Sequence, residues 1–382
     1  MTKKIKLVHI ISYDKKFFDV VLNSFEDDER FDNSPIVVVN EEKEIAAIGN
    51  IGHNAKVVVN GENLRVLLSS LEYDAVFFFS LPDRFWNILN YIPKDKKVIW
   101  WAWGYDLYQL TNYSHAFIPI DILKKKTRLL FKRRNNIFKT IAVLYRNFFA
   151  ERRKDALRRR VLERIDYFQP VIKTEYELIK KMYPEFRAKE FYYPQKSILI
   201  DYLDEQKPDN GNILFGNSAN YPNNHLDVWD VISDKIDKDQ RLIVPLNYGK
   251  LKYQEVIASK LNGENVHLLK EMMHRDEYFK LIESCSYFVM GVIRQQAMGN
   301  INHGLYNGVK IFLYKDSVVY KYFQDLGIKV FAIEDIDENS FRHALSLEDA
   351  NRNIELMNKE NIRRAKVLDD FFDTYRVNNY SN

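Results

Sequence analysis

The sequence predicts two doubly wound α/β domains joined by a short linker. The chain has 382 residues, which exceeds the usual size of a single hydrophobic core. In both halves, continuously apolar strands alternate with helical segments, the pattern of a parallel sheet covered on both faces. Residues 194–212 mix Pro, Asp, Glu, Lys and Gly and predict the linker. We expect domains at 1–195 and 196–350 that face each other across a cleft, with a final helical segment at 351–382 that packs back on the first domain.

Each half contains six apolar stretches that read as strands. In the first half they are residues 6–11, 35–40, 57–59, 74–80, 97–103 and 165–174. In the second half they begin with ILFGNS and RLIVPL and continue with VHLLKE, SYFVMG, VKIFLYK and IKVFAIED. Helical patterns fill the intervals between them, and this alternation predicts parallel strands. In such sheets, ligands bind at the carboxyl ends of the strands.

Composition limits the class of protein. The single cysteine, Cys285, excludes an internal disulfide and a Cys-rich zinc site, as expected in a reducing compartment. The N-terminus is charged and runs directly into a strand, without the pattern of a signal peptide. No segment reaches the roughly eighteen apolar residues of a membrane span. We therefore expect a cytoplasmic protein.

The basic character is concentrated in one block. Between Lys124 and Arg164 there are 16 Lys and Arg against 3 acidic residues, while the whole chain has a formal net charge of +4. At helical spacing the block alternates basic clusters with apolar residues, which is typical of an amphipathic helix at a bilayer interface. A solvated helical hairpin packed on the domain and an RNA-binding arm are the alternatives. We place this basic segment, residues 120–165, in the first domain as a helical insertion. The cations expected to contact the membrane are Lys124, Lys125, Lys126, Arg128, Lys132, Arg133 and Arg134.

In the first half, candidate chemistry follows the strands. His9 is expected at the end of the first strand. Four of the five tryptophans lie between Trp86 and Trp103, and Asp106 comes two residues after Gly104. Aromatic faces beside a carboxylate can hold a sugar and deprotonate its hydroxyl. An equally open alternative makes Asp106 the N-cap of a following helix, and we expect the tryptophans to be core residues.

Three turns in the second half predict an anion site. Gly216 ends an apolar run, and Asn217 and Ser218 follow it with polar donors before a helix. Asn247 and Tyr248 follow the next strand. A third turn opens a helix and supplies Arg294, Gln295, Gln296, Gly299 and Asn300. A guanidinium, fixed amides and a helix N-terminus are what a diphosphate needs. For the first turn alone, an ordinary strand–helix connection without a ligand is as good an interpretation.

No metal or cofactor is predicted. The pattern Asp335–Ile336–Asp337 lies in an acidic loop after IKVFAI, and not at the end of a strand, where a metal-binding triplet would be expected. A leaving nucleotide would then be stabilised by Arg294, backbone N–H groups and helix N-termini.

Several of these segments carry a family resemblance. WGYDLY, the GNS turn with Asn223 and His225 after it, VPLNYG and FVMGVIRQQAMGN resemble segments of the TDP-N-acetylfucosamine:lipid II N-acetylfucosaminyltransferases of enterobacterial common antigen synthesis. These enzymes are placed with the GT-B glycosyltransferases. The resemblance covers most of the chain in order and is strongest from Arg241 to Lys310. The segments are specific in combination, although each is short.

The resemblance implies a GT-B enzyme. Its second domain would bind a nucleotide-sugar, TDP-linked in preference to UDP- or GDP-linked, and its first domain a lipid-linked glycan acceptor. The motif positions imply a nucleotide-diphosphate role for Gly216 to Ser218 and for Arg294 to Gln296. Asp106 and His9 are the implied candidates for work near the acceptor hydroxyl. No nucleic acid is expected as a partner.

One departure separates the chain from that family. Between Tyr113 and Ile165 it is longer and more basic, which leaves the acceptor, the membrane contact and the sugar open. Two other classes remain as alternatives: a sugar-nucleotide epimerase built from the same pair of domains, and a peripheral membrane scaffold without catalysis.

Overall fold

The computed structural model describes two compact α/β units. The residues described are 4–12, 15–48, 51–108, 117–118, 120–134, 155–194, 199–209, 211–261 and 263–380. The first unit contains residues 1–119, 148–198 and 361–382, and the second contains residues 120–147 and 199–360. Each unit is built on its own parallel sheet.

The first sheet has seven strands in the order β3-β2-β1-β4-β5-β6-β7, and its described pairs are all parallel. Its strands are β1 (Ile5–Ile11), β2 (Phe31–Val39), β3 (Lys56–Val59), β4 (Ala75–Phe78), β5 (Lys97–Trp101), β6 (Tyr167–Gln169) and β7 (Lys189–Glu190). Its helices are α1 (Lys15–Glu26), α2 (Glu42–Ile48), α3 (Glu62–Ser70), α5 (155–163), α6 (Lys173–Met182) and a 3-10 helix, Asp83–Tyr91. β1 and β4 are buried along nearly their whole length because helices cover both faces of the sheet.

The second sheet has six parallel strands in the order β10-β9-β8-β11-β12-β13. Its strands are β8 (Asn212–Phe215), β9 (Leu242–Pro245), β10 (Val266–Leu269), β11 (Cys285–Met290), β12 (Lys310–Leu313) and β13 (Phe331–Ala332). Its helices are α4 (Lys125–Arg134), α7 (His225–Ile232), α8 (Leu251–Lys260), α9 (Arg275–Glu283), α10 (Met298–Tyr306) and α11 (Val318–Asp325). Cys285 is buried and free.

Helix α4 is the main departure from the predicted organisation. We expected the whole basic segment 120–165 in the first domain, but residues 120–147 belong to the second unit. Ile122 and Leu123 are buried in the core of that unit, and Leu130 and Phe131 pack against it. The apolar side of the helix is therefore used for packing within the protein. Helix α5, at the other end of the segment, belongs to the first unit.

The long C-terminal helix α12 (Leu347–Tyr380) begins in the second unit and ends in the first. Leu368, Phe371 and Phe372 are buried in the core of the first unit. Among the residues described, no helix is both long and apolar enough to cross a membrane.

Candidate functional site

The turns predicted to bind an anion lie at the topological switch point of the second sheet. From β8, the chain builds β9 and β10 on one side and β11, β12 and β13 on the other. In open parallel sheets, ligands bind outside the carboxyl ends of the strands where the order reverses. That crevice lies between the turns after β8 and β11.

Gly216 is the residue that opens the turn after β8. Its φ of +69° is in the left-handed region, and a Cβ there would lie 2.5 Å from His225 Nε2. Its N–H donates to the Val289 carbonyl of β11 at 3.0 Å. The predicted close approach of backbone therefore exists, and only glycine fits it.

Asn223 holds the turn after Gly216. Its Oδ1 accepts the backbone N–H of Asn217 at 3.1 Å, and its Nδ2 donates to the carbonyl and the hydroxyl of Ser218 at 3.0 and 3.1 Å. Asn223 and Ser218 are fully buried. These bonds fix the turn before any ligand arrives, which lowers the entropy cost of binding.

Asn224, the next residue, joins three segments of the second unit. It has left-handed backbone (φ 51°, ψ 34°), which asparagine tolerates better than most residues. Its Nδ2 donates to the carbonyls of Gly291 and Ile122 at 2.7 and 3.1 Å, and its Oδ1 accepts from the backbone N–H of Lys124 at 2.8 Å. The turn after β11 and the start of the basic segment are thus tied to the N-cap residue of α7.

His225 is buried beneath the turn and is neutral. Burial lowers the pKa of its imidazole to about 3. Its Nδ1 lies 3.4 Å from the Tyr253 hydroxyl, and its Nε2 has no hydrogen-bond partner. The ring therefore adds no positive charge to the crevice, and it fixes the turn through its contact with Gly216.

One amide joins all three predicted turns. The side chain of Asn217 donates from Nδ2 to the Tyr248 hydroxyl at 2.9 Å and accepts at Oδ1 from Gln296 Nε2 at 3.0 Å. The turns after β8 and β9 are also joined by their backbones, since the Ala219 N–H donates to the Tyr248 carbonyl and the Lys250 N–H to the Ala219 carbonyl, both at 2.8 Å. Residues predicted separately are thus brought together.

Arg294 brings a positive charge to this cluster. Burial raises the pKa of the Tyr248 hydroxyl, and the nearby Arg294 charge, together with hydrogen bonds from Ser218 and Asn217, opposes that rise. The guanidinium donates from one terminal nitrogen to the Gln295 carbonyl at 2.7 Å, and Gln295 itself is buried. The positive charge of Arg294 therefore lies near the Tyr248 hydroxyl, in the turn that precedes α10.

The remaining residues predicted for the anion site are Asn247, Gly299 and Asn300, and they differ in exposure and in hydrogen bonding. Asn247 is half-buried after β9. Gly299, in the first turn of α10, is exposed and has open space where a Cβ would lie. Asn300 donates from Nδ2 to the Tyr278 hydroxyl of α9 at 2.7 Å. The amide of Asn300 is thus used to join α9 and α10, and Tyr278 is a neighbour of the site that sequence analysis missed.

No group of three or more His, Cys, Asp or Glu side chains that could hold a metal ion occurs among the described residues. In the Asp335–Asp337 loop, Asp335 pairs with Lys315 at 2.5 Å, and Asp337 accepts hydrogen bonds from the Asn339 backbone and the Ser340 hydroxyl. These carboxylates thus stabilise their own loop.

Asp106 anchors a turn of the first unit. Its Oδ2 accepts from the Leu81 N–H at 2.8 Å and from Trp100 Nε1 at 2.9 Å, and its Oδ1 accepts from the Trp103 N–H at 2.8 Å. Burial raises the pKa of the carboxyl, and these hydrogen bonds oppose the rise. Both oxygens already have donors, all earlier in the chain, so the contacts indicate a structural role, although not the helix N-cap considered for Asp106.

His9 is a core residue. The prediction that it ends the first strand is wrong, because β1 continues to Ile11. His9 is fully buried, its Nε2 lies 2.8 Å from Asn33 Oδ1, and its ring centroid lies 4.7 Å from that of Phe25. Burial lowers the pKa of its imidazole to about 4. These contacts favour a packing role in the first unit.

Three of the predicted membrane cations are paired with acidic residues of the second unit. Lys124 contacts Asp316 at 2.8 Å, Lys126 pairs with Asp230, and Arg128 contacts Asp121 at 2.6 Å. Lys125 and Lys132 are exposed. The side chains of Arg133 and Arg134, and most of the apolar residues that alternate with the basic clusters, lie outside the described part of the chain.

Glu175 is a buried carboxyl that the sequence analysis did not select. Its Oε2 accepts the backbone N–H groups of Val171 at 2.9 Å and Ile172 at 3.3 Å, which is the glutamate half of a capping box at the start of α6. Burial raises the pKa of this carboxyl to about 7. A glutamate three residues after the capping position was the available signal.

Comparison with known protein families identifies the family of this protein. A family model described as 4-alpha-L-fucosyltransferase, glycosyl transferase group 56, matches residues 142–365, more than half of the chain. The chain belongs to this family. It is a glycosyltransferase.

Solved structures show the fold of this glycosyltransferase. An Anabaena protein, HepE, in complex with UDP and glucose matches with a TM-score of 0.54 and 11% identity, over 97% of this chain and 99% of that one. A UDP-forming α,α-trehalose-phosphate synthase from Burkholderia vietnamiensis matches at 0.56 and 8%, over 98% and 100%. A putative UDP-N-acetylglucosamine 2-epimerase from Listeria monocytogenes matches at 0.51 and 11%, over 100% and 98%. The prediction of a two-domain GT-B fold is confirmed.

Proposed function

We propose that this glycosyltransferase moves a deoxy-amino sugar, such as 4-acetamido-4,6-dideoxygalactose, from a TDP-linked donor to a lipid-linked glycan. The product would belong to a bacterial surface polysaccharide of the enterobacterial common antigen or O-antigen type. The family membership supports transfer of a fucose-like sugar. The preference for TDP and for a lipid-linked acceptor rests on the resemblance of the WGYDLY, VPLNYG and FVMGVIRQQAMGN segments.

The observation that carries the proposal is the amide of Asn217 bonded to both Tyr248 and Gln296, with the Arg294 charge near enough to act on the Tyr248 hydroxyl. The donor's diphosphate would lie against the turn that begins at Gly216. The N–H groups at the start of α10 would face it, because helix N-termini attract anions. The N–H groups of Gly216, Asn217 and Ala219 are already bonded within the protein and shape the turn. Arg294 would take the developing charge on the leaving nucleotide as the glycosidic bond breaks.

Neither Asp106 nor His9 is proposed as the group that accepts the proton of the acceptor hydroxyl. Asp106 already accepts three hydrogen bonds, and His9 is enclosed by the aromatic core of the first unit. A base must be within hydrogen-bond reach of the proton that it accepts. Contact with the inner face of the membrane remains part of the proposal, through the exposed Lys125 and Lys132 and the rest of segment 120–165.

The test is the substitution Arg294→Ala. Loss of a charge-assisted contact to phosphate costs about 1.5–3 kcal/mol, which weakens TDP binding roughly 10- to 100-fold. Calorimetry with TDP, UDP and GDP measures this directly. Arg342→Ala is the matched control, since Arg342 is an exposed arginine of the same unit that contacts Asp237 at 3.5 Å. Unchanged TDP affinity in the Arg294 variant would remove the diphosphate assignment.

Turnover assays separate the alternative functions. With a labelled donor and a lipid-linked acceptor, the proposal predicts label in the lipid fraction. Conversion of the nucleotide-sugar without any acceptor would indicate the epimerase. Absence of nucleotide binding in a folded protein would favour the scaffold.

A further inference from the structure

We propose that the first unit holds its own binding site for an amphiphile that carries a phosphate or pyrophosphate head group. The site is a cavity beside the 3-10 helix Asp83–Tyr91. The inference rests on the proposed function, because it names where the head group and first apolar carbons of the lipid-linked acceptor would bind.

The cavity has a volume of about 310 Å³ and is lined by Asp83, Arg84, Trp86 and Leu157. All four residues belong to the first unit. This volume is at the lower end of the range of small-molecule sites. It therefore suits a head group with the first part of an apolar chain and not a whole lipid.

Arg84 supplies a cation that no acidic residue in the described part of the chain neutralises. Its side chain is exposed, and within the described ranges it has no carboxylate oxygen in ion-pair distance. One terminal nitrogen of the guanidinium donates to the Ser12 hydroxyl at 2.5 Å. Most other arginines of this unit with described contacts are paired, for example Arg65 with Glu62 and Arg363 with Glu190. A guanidinium of this kind suits bidentate recognition of phosphate.

The cation lies at the place where the first sheet is expected to bind a ligand. The strand order reverses between β1 and β4, so the switch point lies outside their carboxyl ends. Ser12 directly follows β1, and Ser80 follows β4 by two residues. The Ser80 hydroxyl accepts from the Tyr105 hydroxyl at 2.6 Å, and Tyr105 is exposed. Hydroxyl groups and the guanidinium thus gather at one edge.

The other side of the cavity is apolar. Trp86 is buried, its Nε1 donates to the Leu81 carbonyl at 3.2 Å, and its ring packs at 5.4 Å from that of Phe117. Leu157, on helix α5, is a large apolar side chain left 44% exposed. An apolar wall beside a guanidinium without an acidic partner matches an anionic head group on an apolar chain. Inorganic phosphate would need no such wall.

Among the described residues of the lining, Asp83 is the one acid. It allows the sign of the charge effect on binding to be tested. Its carboxylate repels a phosphate head group, so Asp83→Asn should tighten binding while Arg84→Ala should weaken it. A cation site built on Asp83 would show the opposite order.

The experiment uses the full chain with saturating TDP, so that the second unit is occupied. Farnesyl pyrophosphate is titrated by calorimetry and compared with inorganic pyrophosphate and with farnesol. We expect farnesyl pyrophosphate to bind at least 10-fold more tightly than either. Arg84→Ala should weaken it at least 10-fold, Arg84→Lys less, and Leu157→Asp should weaken farnesyl pyrophosphate without affecting inorganic pyrophosphate. Arg65→Ala is the control, an exposed arginine already paired with Glu62.

Each outcome decides the inference. Unchanged farnesyl pyrophosphate affinity in Arg84→Ala, with TDP affinity intact, would overturn this site while the proposed function stands. Equal affinity for inorganic and farnesyl pyrophosphate would indicate a site for free phosphate. It would overturn the inference that the ligand is an amphiphile. If the wild-type protein does not bind TDP, the proposed function is wrong instead.

Discussion

Gly216 and His225 show how single residues set the geometry of the candidate site. The glycine has φ +69°, and the imidazole occupies the space that a side chain at position 216 would need. The role of Gly216 was predictable from the sequence, because a short polar turn follows an apolar strand there. The sequence did not predict the buried histidine beneath it, since burial depends on how α7 packs.

The first prediction concerns Gly216→Ala. The left-handed backbone costs about 1–2 kcal/mol for alanine, and the collision with His225 adds to it. We expect a loss of at least about 2 kcal/mol in the free energy of unfolding, measured by urea denaturation. Gly299→Ala is the control, because its Cβ meets open space within a helix. It should stabilise the protein by about 0.5–1 kcal/mol; equal effects of the two substitutions would contradict this account.

The second prediction concerns pH and His9. The folded-state pKa of about 4 lies below the unfolded value of 6.5, so the unfolded chain binds the extra proton between these values. The stabilising contribution of neutral His9 is complete above pH 6.5 and is lost as pH falls toward 4. Relative to His9→Leu, the wild-type protein should lose about 1.4 kcal/mol of unfolding free energy per pH unit in this window.

Urea unfolding at pH 7, 6 and 5 measures that difference, and His274→Leu is the control because the His274 side chain is 74% exposed. Parallel pH profiles for the wild-type protein and His9→Leu would show that His9 does not titrate as a buried group. The sequence suggested a reactive His9 because strand ends carry chemistry in this fold. Two residues of β1, Ile10 and Ile11, follow His9, and its side chain is buried in the core.

At the scale of elements, helix α4 begins with lysines at the positive end of its own dipole. Asp227 of α7 offsets this, since its carboxylate accepts the backbone N–H groups of Lys126 and Thr127 at 2.7 and 2.9 Å. Sequence periodicity predicted the helix correctly. It could not assign the helix to a unit, because that depends on an acidic residue about a hundred positions away in the chain.

The third prediction is that Asp227→Ala releases the start of α4. Loss of a helix cap costs about 0.5–2 kcal/mol, so amide exchange should rise in residues 125–131. Asp230→Ala provides the comparison, since Asp230 contacts only the half-exposed side chain of Lys126. It should change stability by less than about 1 kcal/mol. If both variants exchange alike, α4 is held by its apolar face alone.

At the scale of the whole molecule, two sheets with apolar strands and helical intervals were predictable because that pattern has few other solutions. The three turns of the second unit were also predictable, since residues at the carboxyl ends of neighbouring parallel strands must meet. Residues of the first unit were harder to assign. Asp106 was equally consistent with a base and a helix N-cap, whereas its three donors, all earlier in the chain, make it the anchor of a turn. Arg84 was not selected because a lone arginine gives no sequence signal.

Amide hydrogen exchange of the full chain with and without TDP locates the donor site. We expect protection in the backbone after β8, β9 and β11, in peptides covering residues 214–220, 246–250 and 292–300. This protection should disappear in Arg294→Ala at the same TDP concentration and persist in Arg342→Ala. Protection confined to peptides of the first unit, or none at saturating TDP, would contradict the placement of the donor site in the second unit.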